Sequence, residues 1–201
     1  MWKYSKELMD HFMNPRNAGR MEDPDGHSEV GSPQCGDAMT LDIRVDDDDV
    51  ISDVRFQTFG CAGAIASASA LTEMAKGRSL AEARKIRNSE VAAFLGGMPP
   101  EKYHCSVMGH DAMAGAIDDF ERRRGEVESA LRRVLADPPS EIAALLAGRT
   151  VEPVHVHPGR MTLRILPDDG GALASLLASA VGAALGRTVE VRVQPEEGRT
   201  R

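Results

Sequence analysis

Met39-Thr40-Leu41-Asp42-Ile43-Arg44-Val45, Asp46-Asp47-Asp48-Asp49, a run from Val50 through Val54 and Phe56 to Phe59, and Gly60-Cys61-Ala62-Gly63-Ala64 follow one another without interruption. In the first segment Met39, Leu41, Ile43 and Val45 alternate with polar residues, the period of a half-buried strand. The four aspartates read as a hairpin turn. A calcium loop is the functional alternative, but the run lacks the EF-hand spacing and its glycine. Val50–Phe59 is a second strand. At Cys61 the strand pattern gives way to a helix pattern that runs to Lys76, with Gly77 as its C-terminal stop. Strand, turn, strand and helix in this order read as an α+β fold.

Outward from this core the punctuation is regular. Tyr4–Met13 reads as a helix stopped by Asn14-Pro15, followed by loop residues as far as Cys35. Ser79-Leu80-Ala81-Glu82 is a capping box that opens another helix. Asn88–Leu95 is a short helix ended by Gly96-Gly97, and after Pro99-Pro100 a helix runs from about Ser106 to Arg124. Past Gly125, Glu126–Ala136 and Ser140–Ala147 look helical on either side of Asp137-Pro138-Pro139. Strand patterns follow at Val151–His157 and Met161–Leu166, then a leucine-striped helix and a last strand, Val189–Val193. The expected organisation is residues 1–125 as one domain, 126–148 as a helical linker and 149–201 as a small, cysteine-free α/β domain. His155 and His157 lie two apart on one strand face. A two-His metal site is one reading; exposed strand histidines are the other, and the favoured one.

The chemistry points to the cysteines. Cys35, Cys61 and Cys105 are the only three, and each sits at an element boundary. Cys35 lies in Gly31-Ser32-Pro33-Gln34-Cys35-Gly36-Asp37, Cys61 at the strand-to-helix junction, and Cys105 after His104 at a helix start. Structural thiols are small apolar residues inside elements. Three at boundaries, two with a carboxylate or imidazole close by in sequence, point to one shared metal site, and three thiolates plus one further ligand suit zinc or an iron–sulfur cluster. No Cys-x-x-Cys pair exists, so no simple finger or ferredoxin pattern applies. Asp37 and His104 are the candidates for the fourth position. A carboxylate oxygen is a poorer partner for cluster iron than a thiolate, so three cysteines with Asp37 describe a loosely held cluster. The bland readings are three unrelated thiols, an Asp37 that caps a loop, and a His104 that packs or orients a ligand.

Bulk properties narrow the class. At 201 residues and 42 % hydrophobic content the chain can hold one mid-sized domain and a small one. A net charge of −7 argues against general nucleic-acid binding, and Arg122-Arg123-Arg124 reads as a solvated helix end. The N-terminus shows no apolar signal segment, and the odd cysteine count suits a reducing cytoplasm. The longest uncharged run, Gly170 to Gly186, is short for a membrane span.

From Trp2 to about Arg124 the chain resembles the N-terminal scaffold domain of NifU and, more broadly, the IscU family of iron–sulfur cluster assembly scaffolds. The resemblance rests on Tyr4-Ser5, on His11-Phe12 with Asn14-Pro15-Arg16-Asn17-Ala18-Gly19, and on Val30-Gly31-Ser32 leading to Cys35-Gly36-Asp37. It continues through Phe56-Gln57-Thr58-Phe59-Gly60-Cys61, Ala64-Ile65-Ala66-Ser67, Ala70-Leu71-Thr72-Glu73-Met74 and Pro99-Pro100-Glu101-Lys102 running into His104-Cys105-Ser106-Val107-Met108-Gly109.

The resemblance implies a small antiparallel sheet packed against helices. It also implies a cytoplasmic scaffold, not an enzyme, that accepts sulfur from a cysteine desulfurase with Cys105 as the persulfide acceptor. Iron joins that sulfur in a [2Fe–2S] cluster held by Cys35, Asp37, Cys61, His104 and Cys105, which passes to apoproteins; [4Fe–4S] is a further form, carried by a homodimer. Nitrogenase maturation and housekeeping assembly are both compatible. Two departures stand out: Ala62-Gly63 replaces the family's Gly-Ser, and Met98-Pro99-Pro100-Glu101-Lys102 replaces the Leu-Pro-Pro-Val-Lys recognised by an Hsp70-type chaperone. The C-terminal order of elements is similar to the last module of NifU-type proteins, but Pro167-Asp168-Asp169-Gly170-Gly171 stands where that module has a Cys-x-x-Cys. Two alternatives are a zinc-containing sulfur carrier resembling SufU and a non-catalytic interaction protein. SufU-type sequences carry an insertion before the third cysteine, which is not evident here, and typically lack the histidine present here as His104.

Overall fold

The computed structural model describes residues 4–32, 36–99, 103–167 and 171–194. Two compact units divide the chain, Met1–Asp119 and Phe120–Arg201.

In the first unit β1 (Gly26–Ser32), β2 (Asp37–Val45) and β3 (Ile51–Phe59) form an antiparallel sheet in the order β1-β2-β3. The alternation in β2 does what its period requires: Met39, Leu41, Ile43 and Val45 are buried, with Ile51, Val54 and Phe56 beside them from β3. The aspartate run closes the hairpin. Asp46 Oδ1 accepts from the amides of Asp48 (3.0 Å) and Val50 (2.9 Å), and Asp49 takes a left-handed conformation with φ 58°. One residue breaks the alternation. Asp42 is buried on the opposite face, where its carboxylate accepts from the Met21 amide at 3.1 Å and lies 2.6 Å from His27 Nδ1.

Strand β1 falls in the stretch expected to be loop. Gly26-His27-Ser28-Glu29-Val30 has no apolar alternation because small residues do its packing. The Ser28 hydroxyl donates to the Ala112 carbonyl at 2.6 Å, and a Cβ on Gly26 would come within 2.2 Å of the Ala116 carbonyl. Backbone approaches helix directly there, an arrangement that hydrophobic periodicity does not report.

Around this sheet lie α1 (Lys6–Met13), α2 (Ala62–Ala75), α3 (Leu80–Ala83) and α4 (Asn88–Phe94). Helix α1 is capped by Ser5, whose Oγ accepts from the Leu8 amide at 3.0 Å, and α3 opens with the expected Ser79–Glu82 capping box. Helix α2 is buried on most of its circumference, through Ala64, Ala66, Ser67, Ala68, Ser69, Ala70, Leu71, Thr72 and Ala75. It packs against β3, α1, α3 and α4. Next comes α5 (Tyr103–Ala136), which begins before and ends well beyond the expected Ser106–Arg124. Gly125 does not stop it. A helical glycine costs about 1 kcal/mol relative to alanine but ends a helix only when it turns left-handed, which Gly125 does not.

The second unit contains α6 (Ser140–Leu146), β4 (Thr150–Val156), β5 (Arg160–Leu166), α7 (Ala172–Leu185) and β6 (Glu190–Val193). Strand β4 pairs antiparallel with β5, and β5 pairs parallel with β6 across the α7 crossover. Met161, Leu163 and Ile165 of β5 pack with Leu173, Leu177 and Val181 of α7. The expected linker 126–148 is part of this core, contributing Val127, Ala130, Leu131 and Ile142. The expectation of exposed strand histidines is also corrected. His155 is partly buried, and His157 lies past the end of β4, 3 % exposed, its ring 5.8 Å from that of Phe120. Among the described residues no helix is long and apolar enough to cross a membrane.

One buried ionisable group ties α1 to α2. His11 Nδ1 lies 2.8 Å from Ser69 Oγ and Nε2 lies 3.4 Å from Glu73, with the ring edge-on to Phe94. Burial, seconded by the Arg16 charge, pushes its pKa below the ordinary 6.5. The folded state thus keeps His11 neutral where the unfolded chain takes up a proton. The stabilisation is complete above pH 6.5 and is lost as pH falls from there towards the folded value. We expect the urea midpoint to fall between about pH 7 and about pH 5.5, and His11→Gln to flatten that dependence. An unchanged slope in the variant would remove His11 as its source.

Candidate metal centre

The last rungs of the β2–β3 ladder build the site. Ala38 pairs with Phe59 and Met39 with Thr58, and the Thr58 hydroxyl donates to the Ala38 carbonyl at 2.8 Å. Asp37, the first residue of β2, pairs on its other side with Ser32 of β1. The chain leaving β3 therefore passes Asp37 as it turns through Gly60 and Cys61 into α2. A Cβ placed on Gly60 would lie 2.8 Å from Asp37 Cγ and 3.1 Å from Asp37 Oδ1, so the carboxyl rests on the glycine backbone. Asp37 is 8 % exposed, whereas Cys61 is half-buried.

Cys61 is the N-cap of α2, in extended backbone (φ −76°, ψ 170°), with its carbonyl accepting from the amides of Ala64 (2.9 Å) and Ile65 (3.2 Å). The first turn of α2 carries no acidic residue. Amides and dipole at such a terminus favour negative charge, which suits a thiolate ligand. Of the five residues expected at the site, the structure describes the side chains of Asp37 and Cys61, and it places Asp37 on Gly60, the residue before Cys61. Cys35 belongs to the connection that closes the β1–β2 hairpin at the Asp37 end and lies outside the described residues. His104 and Cys105 are the second and third residues of α5, inside its first turn and not before it; their side chains lie outside the described residues.

Two neighbours escaped the sequence reading. Thr58 clamps the end of the hairpin, and Phe59 stands 80 % exposed beside Gly60. The alternation held the signal for both: counting by two from Val54 and Phe56 reaches Thr58, which leaves Phe59 on the opposite face.

The NifU-like N terminal domain family matches residues 3–127. The chain belongs to that family. Among its relatives is the iron-sulfur cluster assembly scaffold protein IscU 1 of Archaeoglobus fulgidus, 52 % identical over 125 residues that cover 62 % of this chain and 81 % of the relative. IscU of Haemophilus influenzae is 47 % identical over 125 residues, covering 61 % and 98 %. A crystal structure of a nitrogen-fixing NifU-like protein (N-terminal) from Brucella abortus is similar with a TM-score of 0.48 and 20 % identity, over 57 % of this chain and 92 % of that one. The family match ends at residue 127, so most of the second unit lies beyond the NifU-like domain.

The donor types around Gly60 are ones a thiophilic metal accepts: a thiol on the N-cap residue of α2 and a carboxyl resting on the glycine before it. Cap and ligand can be separated experimentally. Serine is a good N-cap, so Cys61→Ser should leave the stability of the apoprotein within about 1 kcal/mol of wild type or raise it. Cobalt(II) affinity should fall by more than the ~10–100-fold typical of losing an outer partner of a metal ligand. Urea melts and cobalt titration measure the two; undiminished cobalt affinity would exclude Cys61 as a ligand.

Proposed function

We propose that this chain is a scaffold on which iron–sulfur clusters are assembled from iron and desulfurase-derived sulfur and from which they pass to apoproteins. The observation that carries the reading is the Asp37 carboxyl packed on Gly60, the residue directly before Cys61, which is the N-cap residue of α2. Cys35 in the adjoining hairpin connection, and His104 with Cys105 in the first turn of α5, complete the proposed ligand set. The relatives described above are named as cluster assembly scaffolds, which supports the reading. The cluster is cargo, so the site must bind it and also release it. Three thiolates hold iron firmly; a carboxylate oxygen is the weaker ligand and the one an acceptor thiol displaces.

The sulfur step is a thiol exchange. The Cys105 thiolate attacks the outer sulfur of a persulfide on the desulfurase, the sulfur–sulfur bond there breaks, and the desulfurase cysteine leaves as a thiolate. Cys105 then carries the persulfide. No bond in a substrate is turned over at a resident catalytic group, so the chain acts as acceptor and carrier and not as an enzyme. We assign [2Fe–2S] as the cargo, with [4Fe–4S] formed between two copies, a cysteine desulfurase and apo iron–sulfur proteins as partners, and the cytoplasm as the compartment.

Asp37→Ala tests the labile ligand. The variant should still take up a cluster, retain its visible spectrum longer under anaerobic conditions, and hand the cluster to an apo-acceptor severalfold more slowly. A folded variant that never loads would show that Asp37 is needed for assembly and not for release. A colourless, zinc-loaded wild-type protein that takes up no cluster would instead support a SufU-like sulfur carrier.

Cys105→Ser tests the sulfur step. A serine hydroxyl can weakly replace a thiolate as a ligand but cannot form a persulfide. Mass spectrometry after incubation with desulfurase and cysteine should find the added sulfur on wild type and little on the variant. Equal loading of the two would overturn the role of Cys105.

A further inference from the structure

Gly60 is solvent-exposed and its φ lies outside the left-handed region that reserves a position for glycine, so its backbone would accept any L residue. The space would not. The three atoms nearest to a Cβ at this position are Asp37 Cγ at 2.8 Å, Ala64 Cβ at 3.0 Å and Asp37 Oδ1 at 3.1 Å. Two of the three belong to one carboxyl group. The volume that a side chain would fill at Gly60 is occupied by Asp37.

We infer that Gly60 is a positioning residue for Asp37: the missing side chain forms the seat in which the carboxyl lies, directly before Cys61 in the chain. The consequence for cluster release rests on the proposed scaffold function; the seat itself does not. Of the two groups that crowd a Cβ, the carboxyl is the one that yields. Ala64 is held in the first turn of α2, its amide 2.9 Å from the Cys61 carbonyl. The backbone of Asp37 is held by its pairing with Ser32, but its carboxyl turns on two side-chain torsions. A methyl group at Gly60 therefore leaves the fold in place and expels the carboxyl from beside Cys61. In metal handling Gly60→Ala should imitate Asp37→Ala, although it removes no ligand.

A double-mutant cycle in the full chain decides it. In the apoprotein, Gly60→Ala should lower Tm by roughly 4 °C or more when Asp37 is present. It should cost clearly less in the Asp37→Ala background, where only the Ala64 contact remains. In the cobalt(II)-loaded protein, Gly60→Ala should shift the visible d–d bands as Asp37→Ala does, and the double variant should match Asp37→Ala alone. Equal losses of Tm in the two backgrounds would overturn the seat. So would a wild-type cobalt spectrum in Gly60→Ala when Asp37→Ala changes it. If Asp37→Ala itself leaves the cobalt spectrum unaltered, the ligand role of Asp37 fails and the Tm coupling alone decides the seat. If Gly60→Ala does not fold, recovery of a folded double variant supports the seat and its failure to recover overturns it.

Discussion

Register in the β2–β3 ladder is the constraint on which the rest of the first unit depends. Met39, Leu41, Ile43 and Val45 all point inward, and a slip by one residue would turn all four to solvent. At roughly 1.5–3 kcal/mol for each large apolar side chain, that loss is comparable to the whole stability of a domain. The same register sets Ala38 opposite Phe59 and so delivers Asp37 to Gly60. The placement of a polar, half-exposed site is thus specified by an apolar core several residues away. The site needs little cohesion of its own.

Much of this was legible in the chain because the elements around the site are governed by period and punctuation. The alternation of β2, the helix that starts at Cys61 and the Ser79–Glu82 capping box are local signals, and each corresponds to an element in the structure. The unread parts depend on what lies across from them. Strand β1 packs through Ser28 and Gly26 against α5, and such small residues leave no hydrophobic signature. Asp42 reads as a solvent-facing partner in an alternating strand, yet His27 and the Met21 amide cover it. Gly125 looks like a stop because composition does not show which glycines turn left-handed. At the site, residue types gave the candidate ligands, whereas the Asp37–Gly60 contact joins positions 23 residues apart and is visible only in three dimensions.

The second unit shows how a core can reassign a segment. Residues 126–148 are charged and interrupted by a proline pair, the usual marks of a connection. Their apolar positions recur at helical spacing, however, and Val127, Ala130, Leu131 and Ile142 supply a face that α7 and β5 need in order to bury their own. A three-stranded sheet with one crossover helix has too little apolar surface to stand alone, and the second unit gains the missing layer from these helices.

Helix α2, which carries Cys61 at its tip, is built almost wholly of alanine, serine and other small residues where it is buried. Alanine has no side-chain rotamers to surrender and serine few, so enclosing such a helix costs little configurational entropy beyond that of the backbone. Leu71 is the one large side chain among its buried residues, so there is little to repack once it is in place. A thiol mounted there stands on a post with few internal degrees of freedom, so its position is set by the packing of the helix and not by the side chains around it.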